Sequence, residues 1–449
     1  MPEHLRRTHD HDPRRRRPEA RHRPRLEGDD RRRHVQLHRG RIDSRLATSL
    51  SLWQEHFGFT DWTVGLVAAI SANAFGAAVG AMIGGPLGDR YGRKFIYTYD
   101  LILYMLGTLL VVFAAAPWML LVGVVLTGIA VGAGVPVAWT YITYIAEQAP
   151  EGQRARHVGT AQLAWSLGPA VVFAIATALV PLGLLGSRII FAHLFVIAFI
   201  TWWVRRGLAE STIWSDHKKA RDEAARAGGA AVRHRGFLEL LSHPKNITAL
   251  LFLIGVYSLW NTVAGQMGIF MPRVYQTAGV TDPAQQNLLQ VLLWTMTVVV
   301  TYVGFMMLGD RMDRRVLYAI GAVLGIAAWV LLVFAHVTMP LLILFAVLWG
   351  ASAGIGAQAF YALWTAEMFA TPYRASAQGV LFFVARIAVG ILSYFFPTML
   401  AERGVPFVGL IMFGFLVAAL LIGVIGAPNT RGKSLEQIEL ERYVQRVAR

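Results

Sequence analysis

"GPLGDRYGRK", residues 85 to 94, is a charged turn bracketed by glycines, and it recurs: "LGDRYGR" at 87–93 returns as "LGDRMDR" at 308–314. A second pair keeps the same order, with "AEQAPEGQR" at 146–154 and "AEMFATPYR" at 366–374. Asp89 and Asp310 lie 221 residues apart, and Glu147 and Glu367 lie 220 apart. Two short motifs recurring at one offset read as an internal duplication. Many transporters are built this way, with a site between two halves near the bilayer midplane.

Between the motifs the chain is apolar. Of 449 residues, 55% are hydrophobic and 15% charged, against about a quarter charged in soluble domains. A hydrocarbon core about 30 Å thick needs roughly 20 apolar residues as helix. Such runs fall near 62–85, 95–115, 118–145, 157–181 and 188–204, then near 247–271, 287–308, 316–336, 339–366, 375–399 and 405–427. The expectation is an all-α membrane protein of eleven spans, five before and six after a polar bridge at 206–245. The first bundle then covers 47–205, the second 246–427, and a polar tail 428–449.

Lysine and arginine set the orientation, because short cytoplasmic loops hold them preferentially. Residues 89–94, 151–156, 205–245, 310–315, Arg374 and the C-terminal tail together carry 23 of them, while the alternate loops hold only Arg188, Arg273 and Arg403. The first set, with the C-terminus, is assigned to the cytoplasm of a plasma or bacterial inner membrane. No cysteine is present, which removes disulfides, thiolate metal sites and cysteine nucleophiles. Histidines gather in the first forty residues and the bridge, "HDHD" (9–12) reads as solvated, and no phosphate-binding Walker loop occurs. Enzyme, metal and cofactor chemistry are not expected.

On these motifs the chain resembles the major facilitator superfamily, whose fold is two bundles of six helices. The loop at 85–94 matches that family's loop between its second and third helices, and the resemblance runs over about 50–440. Within it the chain looks most like the sugar porters and the related branch named for synaptic vesicle protein 2. Glu and Arg stand seven apart in both repeats, and "QLAWSLG" (162–168), "ESTIW" (210–214) and "PNTRGKSLEQIE" (428–439) add to the match. Resemblance implies transport of a sugar or an inositol-like polyol by alternating access. The second reading is an organic or aromatic acid. A proton is the candidate co-transported ion, although Val124 stands four residues before Gly128 where proton-coupled members carry arginine. "SLGPAVV" (166–172) lacks the later glycine pair of drug antiporters.

The same resemblance implies a cytoplasmic latch drawn from Asp89, Arg90, Arg93, Glu147 and Arg154 in the first half, and Asp310, Arg311, Arg314, Glu367 and Arg374 in the second. In it Arg93 forks onto Glu147 and Arg314 onto Glu367. The second copy departs from the pattern, with Met306 and Asp313 in place of glycines. Gly76, Gly80 and Gly84 fall on one helix face and let another helix approach. Polar groups at membrane depth must face the interior or a cavity, which makes Gln162, Asn261 and Gln266 candidates for cargo, with Trp260 beside them. Gln162 sits at the family's sugar-contacting glutamine, and amides suit hydroxyl-rich cargo because they donate and accept. Tyr361 and Trp364 could stack on a sugar ring or pack as core. Arg386 lies twelve residues beyond Arg374, about 18 Å along a helix, where an unpaired arginine costs roughly 2.5–3.5 kcal/mol. It calls for an anionic partner in the protein or the cargo.

The opening segment breaks the pattern. Residues 1–46 hold 15 arginines, 8 acids and no lysine. The duplication asks for a helix at 27–50, partner to the one at 247–270, but "EGDDRRRHVQLHRGRIDSRLATSL" cannot span a bilayer. "SLWQEHFGFTDW" (51–62) reads as an outer loop. Sidedness would also put the arginines outside. The expectation is that 1–46 is a shifted reading frame or a misassigned start and that the first helix is missing, which would impair or abolish transport. An arm for nucleic acid or anionic lipid is the other reading of this segment. The chain is otherwise expected to act as a monomer with no nucleic-acid partner.

Overall fold

A computed structural model describes residues 41–91, 93–148, 153–206, 240–369, 374–428, 430 and 437–438. The polar segment 1–40, most of the bridge and most of the tail lie outside them. So do the side chains of Asp89, Arg90, Arg93, Glu147 and Arg374. The described residues form helices and no strand.

In chain order these are α1 (Arg41–Phe57), α2 (Asp61–Ala69), α3 (Phe75–Tyr91), α4 (Arg93–Val112), α5 (Pro117–Gln148), α6 (Arg154–Leu179) and α7 (Gly183–Arg206). The second half holds α8 (Pro244–Leu253), α9 (Leu259–Thr277), α10 (Pro283–Val300), α11 (Arg314–Phe334), α12 (Met339–Ile355), α13 (Ala357–Met368) and α14 (Arg374–Gly426). Every one of the eleven apolar runs lies on a helix or a pair of helices. Eight stretches among the described residues are long and apolar enough to cross a membrane. Two exceed fifty residues and change direction at glycine: α6 meets α7 through Gly183 (φ 52°), and α14 breaks at Gly404 (φ 74°). Both are left-handed backbone positions that glycine adopts without a Cβ penalty.

The loop expected at 51–62 is corrected. Residues 51–57 are the last two turns of α1, and Leu50 and Trp53 are buried where α1 meets α6, α7 and α9. Leu50, Trp53 and Phe57 recur at helical spacing, so the stripe follows the 3.6-residue period. Charged and amide neighbours diluted its hydropathy below that of a spanning run. Adding the 220-residue offset maps α1 onto 261–277, all of α9 but its first two residues, so the first repeat possesses this part of its helix.

Two bundles result, α1–α7 and α8–α14. They meet along α6 with α10 and along α2 and α3 with α14. Within the first bundle the glycine face does what its spacing suggests: at Gly76 and Gly80, α3 lies backbone to backbone against α5. A Cβ on Gly80 would run into the Ile129 carbonyl, and one on Gly132 into the Ala77 carbonyl. Gly132→Val is therefore expected to cost about 1–3 kcal/mol through overpacking. Thermal unfolding of the detergent-purified protein checks this, against a Gly414→Val control where an added Cβ meets nothing.

Candidate functional site

Four of the apolar runs lose regular helical geometry. The run at 62–85 breaks between α2 and α3 at residues 70–74, and the run at 247–271 passes through a π turn at Ile254–Ser258. The run at 287–308 passes through a π turn at Thr301–Met306 near its end, and the run at 339–366 breaks at extended Gly356. Thr301 Oγ1 donates to the Gly354 carbonyl at 3.3 Å, so two of the breaks support each other. Irregular backbone at membrane depth is tolerated where protein or a cavity satisfies it. Such turns mark sites more often than regular helix does.

Three layers of contact join the bundles here. In the middle layer, Trp260 and Asn261 are buried beside the first π turn. Ser258 Oγ, Trp260 Nε1 and Asn261 Oδ1 are buried with no hydrogen-bond partner. The Trp260 ring nitrogen faces the Gly356 break. Tyr257 stacks on Tyr361 with ring centroids 3.9 Å apart, and on Trp260 at 6.5 Å. Gln358 sits against the Tyr257 hydroxyl. Arg386 reaches this group from α14, with its guanidinium 4.6 Å above the Phe382 ring. The anionic partner expected for Arg386 is replaced by neutral oxygens: Arg386 Nη1 donates to the Asn73 carbonyl at 2.9 Å and to its Oδ1.

Other candidates take different places. Gln266 is tied inside the second bundle, its Nε2 donating to the Val389 carbonyl at 3.2 Å and to Ser393 Oγ at 3.1 Å. Trp364 is fully buried among Phe252, Tyr318 and Phe360, with centroids at 5.4, 5.5 and 5.0 Å. That is the surrounding of a core side chain. Gln162 is buried on α6, the helix that faces α10 across the bundles. Asn73, Gln358 and Tyr257 were missed in the sequence. Asn73 and Gln358 each offered a signal, as an amide inside an apolar run.

The second layer lies on the face carrying the repeated motifs. Glu367, fully buried, accepts from Arg314 of its own bundle and from Arg154 Nη1 of the other at 2.7 Å. Thr430 of the tail also donates to it at 2.7 Å. Asp310 accepts from the backbone N–H groups of Ala155 and Arg156 at 3.0 and 3.1 Å. Those are orphan donors at the N-terminus of α6, whose own flanking residue Gln153 makes no side-chain cap. The carboxylate therefore caps a helix of the opposite bundle, where it also meets the positive end of the helix dipole. Arg311 is exposed on this face.

The departures of the second motif are absorbed locally. Met306 packs onto Gly159 of α6, and Asp313 caps α11 by accepting from Arg315 N at 2.8 Å.

A third layer closes the opposite face. Arg273 of α9 donates to Asp61 of α2 and, at 3.1 Å, to Gln54 of α1. Gln54 Nε2 donates in turn to Asp61 at 3.2 Å. With both faces bridged, the molecule is held closed from either side.

Opposite substitutions should open opposite faces. Glu367→Gln removes the buried charge that Arg314 and Arg154 share, and breaking a buried pair costs about 3–5 kcal/mol. Faster maleimide labelling of a single cysteine at half-buried Met306 reads that opening, in a chain with no native cysteine. Asp61→Asn should accelerate labelling of a cysteine at Met271, two residues from Arg273, and leave the Met306 rate unchanged.

Known proteins share this plan. Residues 43–441 match the family model for the sugar (and other) transporters. A minor myo-inositol transporter of Bacillus subtilis is 43% identical over 397 residues, covering 88% of this chain and 89% of that one. A quinate permease of Emericella nidulans is 27% identical over 467 residues, covering 88% and 84%. Among solved structures, a D-xylose–proton symporter superposes with a TM-score of 0.71 at 17% identity, covering 91% of this chain and 99% of its own. The inward-open xylose transporter of E. coli gives 0.68 at 17% identity, covering 93% and 99%. The duplicated motifs, the two closed faces and the family match over most of the length converge, and the chain belongs to the sugar (and other) transporter family, as a multi-pass membrane transporter of the major facilitator fold and not an enzyme.

Proposed function

We propose that the chain carries an inositol-like polyol across the membrane by alternating access, as a monomer, with the motif face toward the cytoplasm. The observation that supports this reading is the set of orphan polar atoms beside the π turn: Ser258 Oγ, Trp260 Nε1 and Asn261 Oδ1. A buried donor or acceptor left unmade costs about 1–3 kcal/mol. One donor from an indole, one amide acceptor and one hydroxyl of either polarity suit a neutral ring bearing several hydroxyls. With Gln162 on the facing bundle and Gln358 nearby, no fixed negative charge lines this layer among the described residues.

The 43% identical relative, a myo-inositol transporter, agrees with this cargo. Arg386 is the specific observation favouring the second reading, a carboxylate such as the quinate carried by the fungal permease. A proton is the co-transported ion in the first reading, as in the symporter of matching fold. Gating follows from the layers: cargo seated between the bundles lets either the Glu367 and Asp310 contacts or the Arg273 contacts release, one face at a time.

Uptake of labelled myo-inositol into proteoliposomes tests the proposal. Saturable uptake that unlabelled inositol blocks is expected, and an inward proton gradient should raise its initial rate. Asn261→Ala should raise KM about 2–10-fold, the loss of one neutral hydrogen bond. Inhibition by carboxylates with none by inositol or hexose overturns the polyol reading. A rate indifferent to the gradient assigns the chain to facilitated diffusion.

A further inference from the structure

Asn73 makes contacts that neither the duplication nor the motifs foresee. It stands in the five-residue interruption between α2 and α3, where the helical ladder is lost and its own N–H donates to Ser71 Oγ at 3.2 Å. The interruption is allowed by close backbone packing, since Gly76 and Gly128 meet with no side chain between them. From this broken turn Asn73 reaches two elements of the other bundle. Its Nδ2 donates to the Gly265 carbonyl of α9 at 3.1 Å, and its two oxygens receive Arg386 of α14. Gly265 has no side chain to obstruct that reach.

The chemistry of the contact is unusual for its depth. Arg386 sits near the middle of a membrane helix, partly buried, and its Nε has no partner. Among the described residues no carboxylate pairs with it. An aspartate at 73 would have supplied the charge and held it firmly. Asparagine supplies oxygens without charge, so the contact satisfies the guanidinium yet can be exchanged for other oxygens. A carbonyl and an amide oxygen of one residue, both turned to one guanidinium nitrogen, present what two neighbouring hydroxyls of a polyol ring present.

We infer that Asn73 is a positioning residue for Arg386, which occupies the guanidinium in the arrangement described and yields it to cargo oxygens. This rests on the polyol reading above for the identity of the cargo, but not for the contact itself. Release of Arg386 and of the Gly265 carbonyl frees the first bundle from α9 and α14 at mid-depth together. Cargo arrival and loosening of the bundles are then one event.

The test has two arms on the full chain. In the first, without any solute, a single cysteine at buried Ser258 is labelled with maleimide. Asn73→Ala should be labelled at least threefold faster than the parent and Asn73→Asp, which locks onto Arg386, at least threefold slower. Labelling of both variants at the parental rate overturns the inference, whatever the cargo. In the second arm, myo-inositol uptake is measured in proteoliposomes. Asn73→Ala should lower KM and kcat together, because a competitor for Arg386 and a closing contact are lost at once. Asn73→Asp should lose transport and regain part of it in combination with Arg386→Gln. A purely structural role for Asn73 predicts a raised KM or lost protein in Asn73→Ala and no rescue of Asn73→Asp, and either result overturns the inference. Absence of inositol uptake by the parent overturns the polyol reading alone, and the first arm still decides the role of Asn73.

Discussion

Hydrocarbon offers no hydrogen bonds, so every polar group in the middle of this molecule must find its partner inside the chain or in what the chain carries. Most of the structure can be understood as the working out of that constraint. Hydroxyls bond back to carbonyls one turn earlier, as Thr108, Thr262, Thr297 and Thr365 do. The breaks at Thr301 and Gly356 lie against each other, where Thr301 donates to the Gly354 carbonyl. Among the polar atoms left without a partner, those of Ser258, Trp260 and Asn261 lie together beside the π turn, with the Trp260 nitrogen facing the Gly356 break. In the reading proposed above, that is where a polar solute would meet them.

The closed faces use two different kinds of chemistry. Glu367 gathers two guanidinium groups and a threonine hydroxyl in a buried cluster, and Asp310 holds a bare helix end. The opposite face uses a half-exposed pair, Arg273 with Asp61, backed by one amide. Salt and water weaken the second far more than the first. The two contact clusters therefore differ in their exposure to water and salt, with the better buried one on the motif face. Thr430 draws the tail into that cluster, and beside it the Ala427 carbonyl accepts from Arg315 at 2.8 Å.

The helices were largely legible because each spanning run is apolar over its whole length, and the Glu367 and Arg314 pair because the duplication names both. What was not legible has physical reasons. Helix α1 failed as a hydropathy signal because its buried stripe is narrow and its other faces are charged. The pairing of Arg154 with Glu367 crosses the bundles, whereas motif spacing relates residues within one half. Arg386 demanded a partner, but a neutral asparagine on a broken turn is not what a search for opposite charge finds. Asp313 and Met306 looked like decay of the second motif. The structure shows each with a role, one as a helix cap and one filling the space that Gly159 leaves.

The bare contact between α3 and α5 has a mechanical side. Where Gly76 and Gly80 meet α5 backbone to backbone, no side-chain rotamer is available to absorb a shift of either helix. Along that face α3 and α5 are coupled directly, from the broken turn at Asn73 towards the end of α3 at Tyr91. The glycines thus serve less as spacers than as a weld.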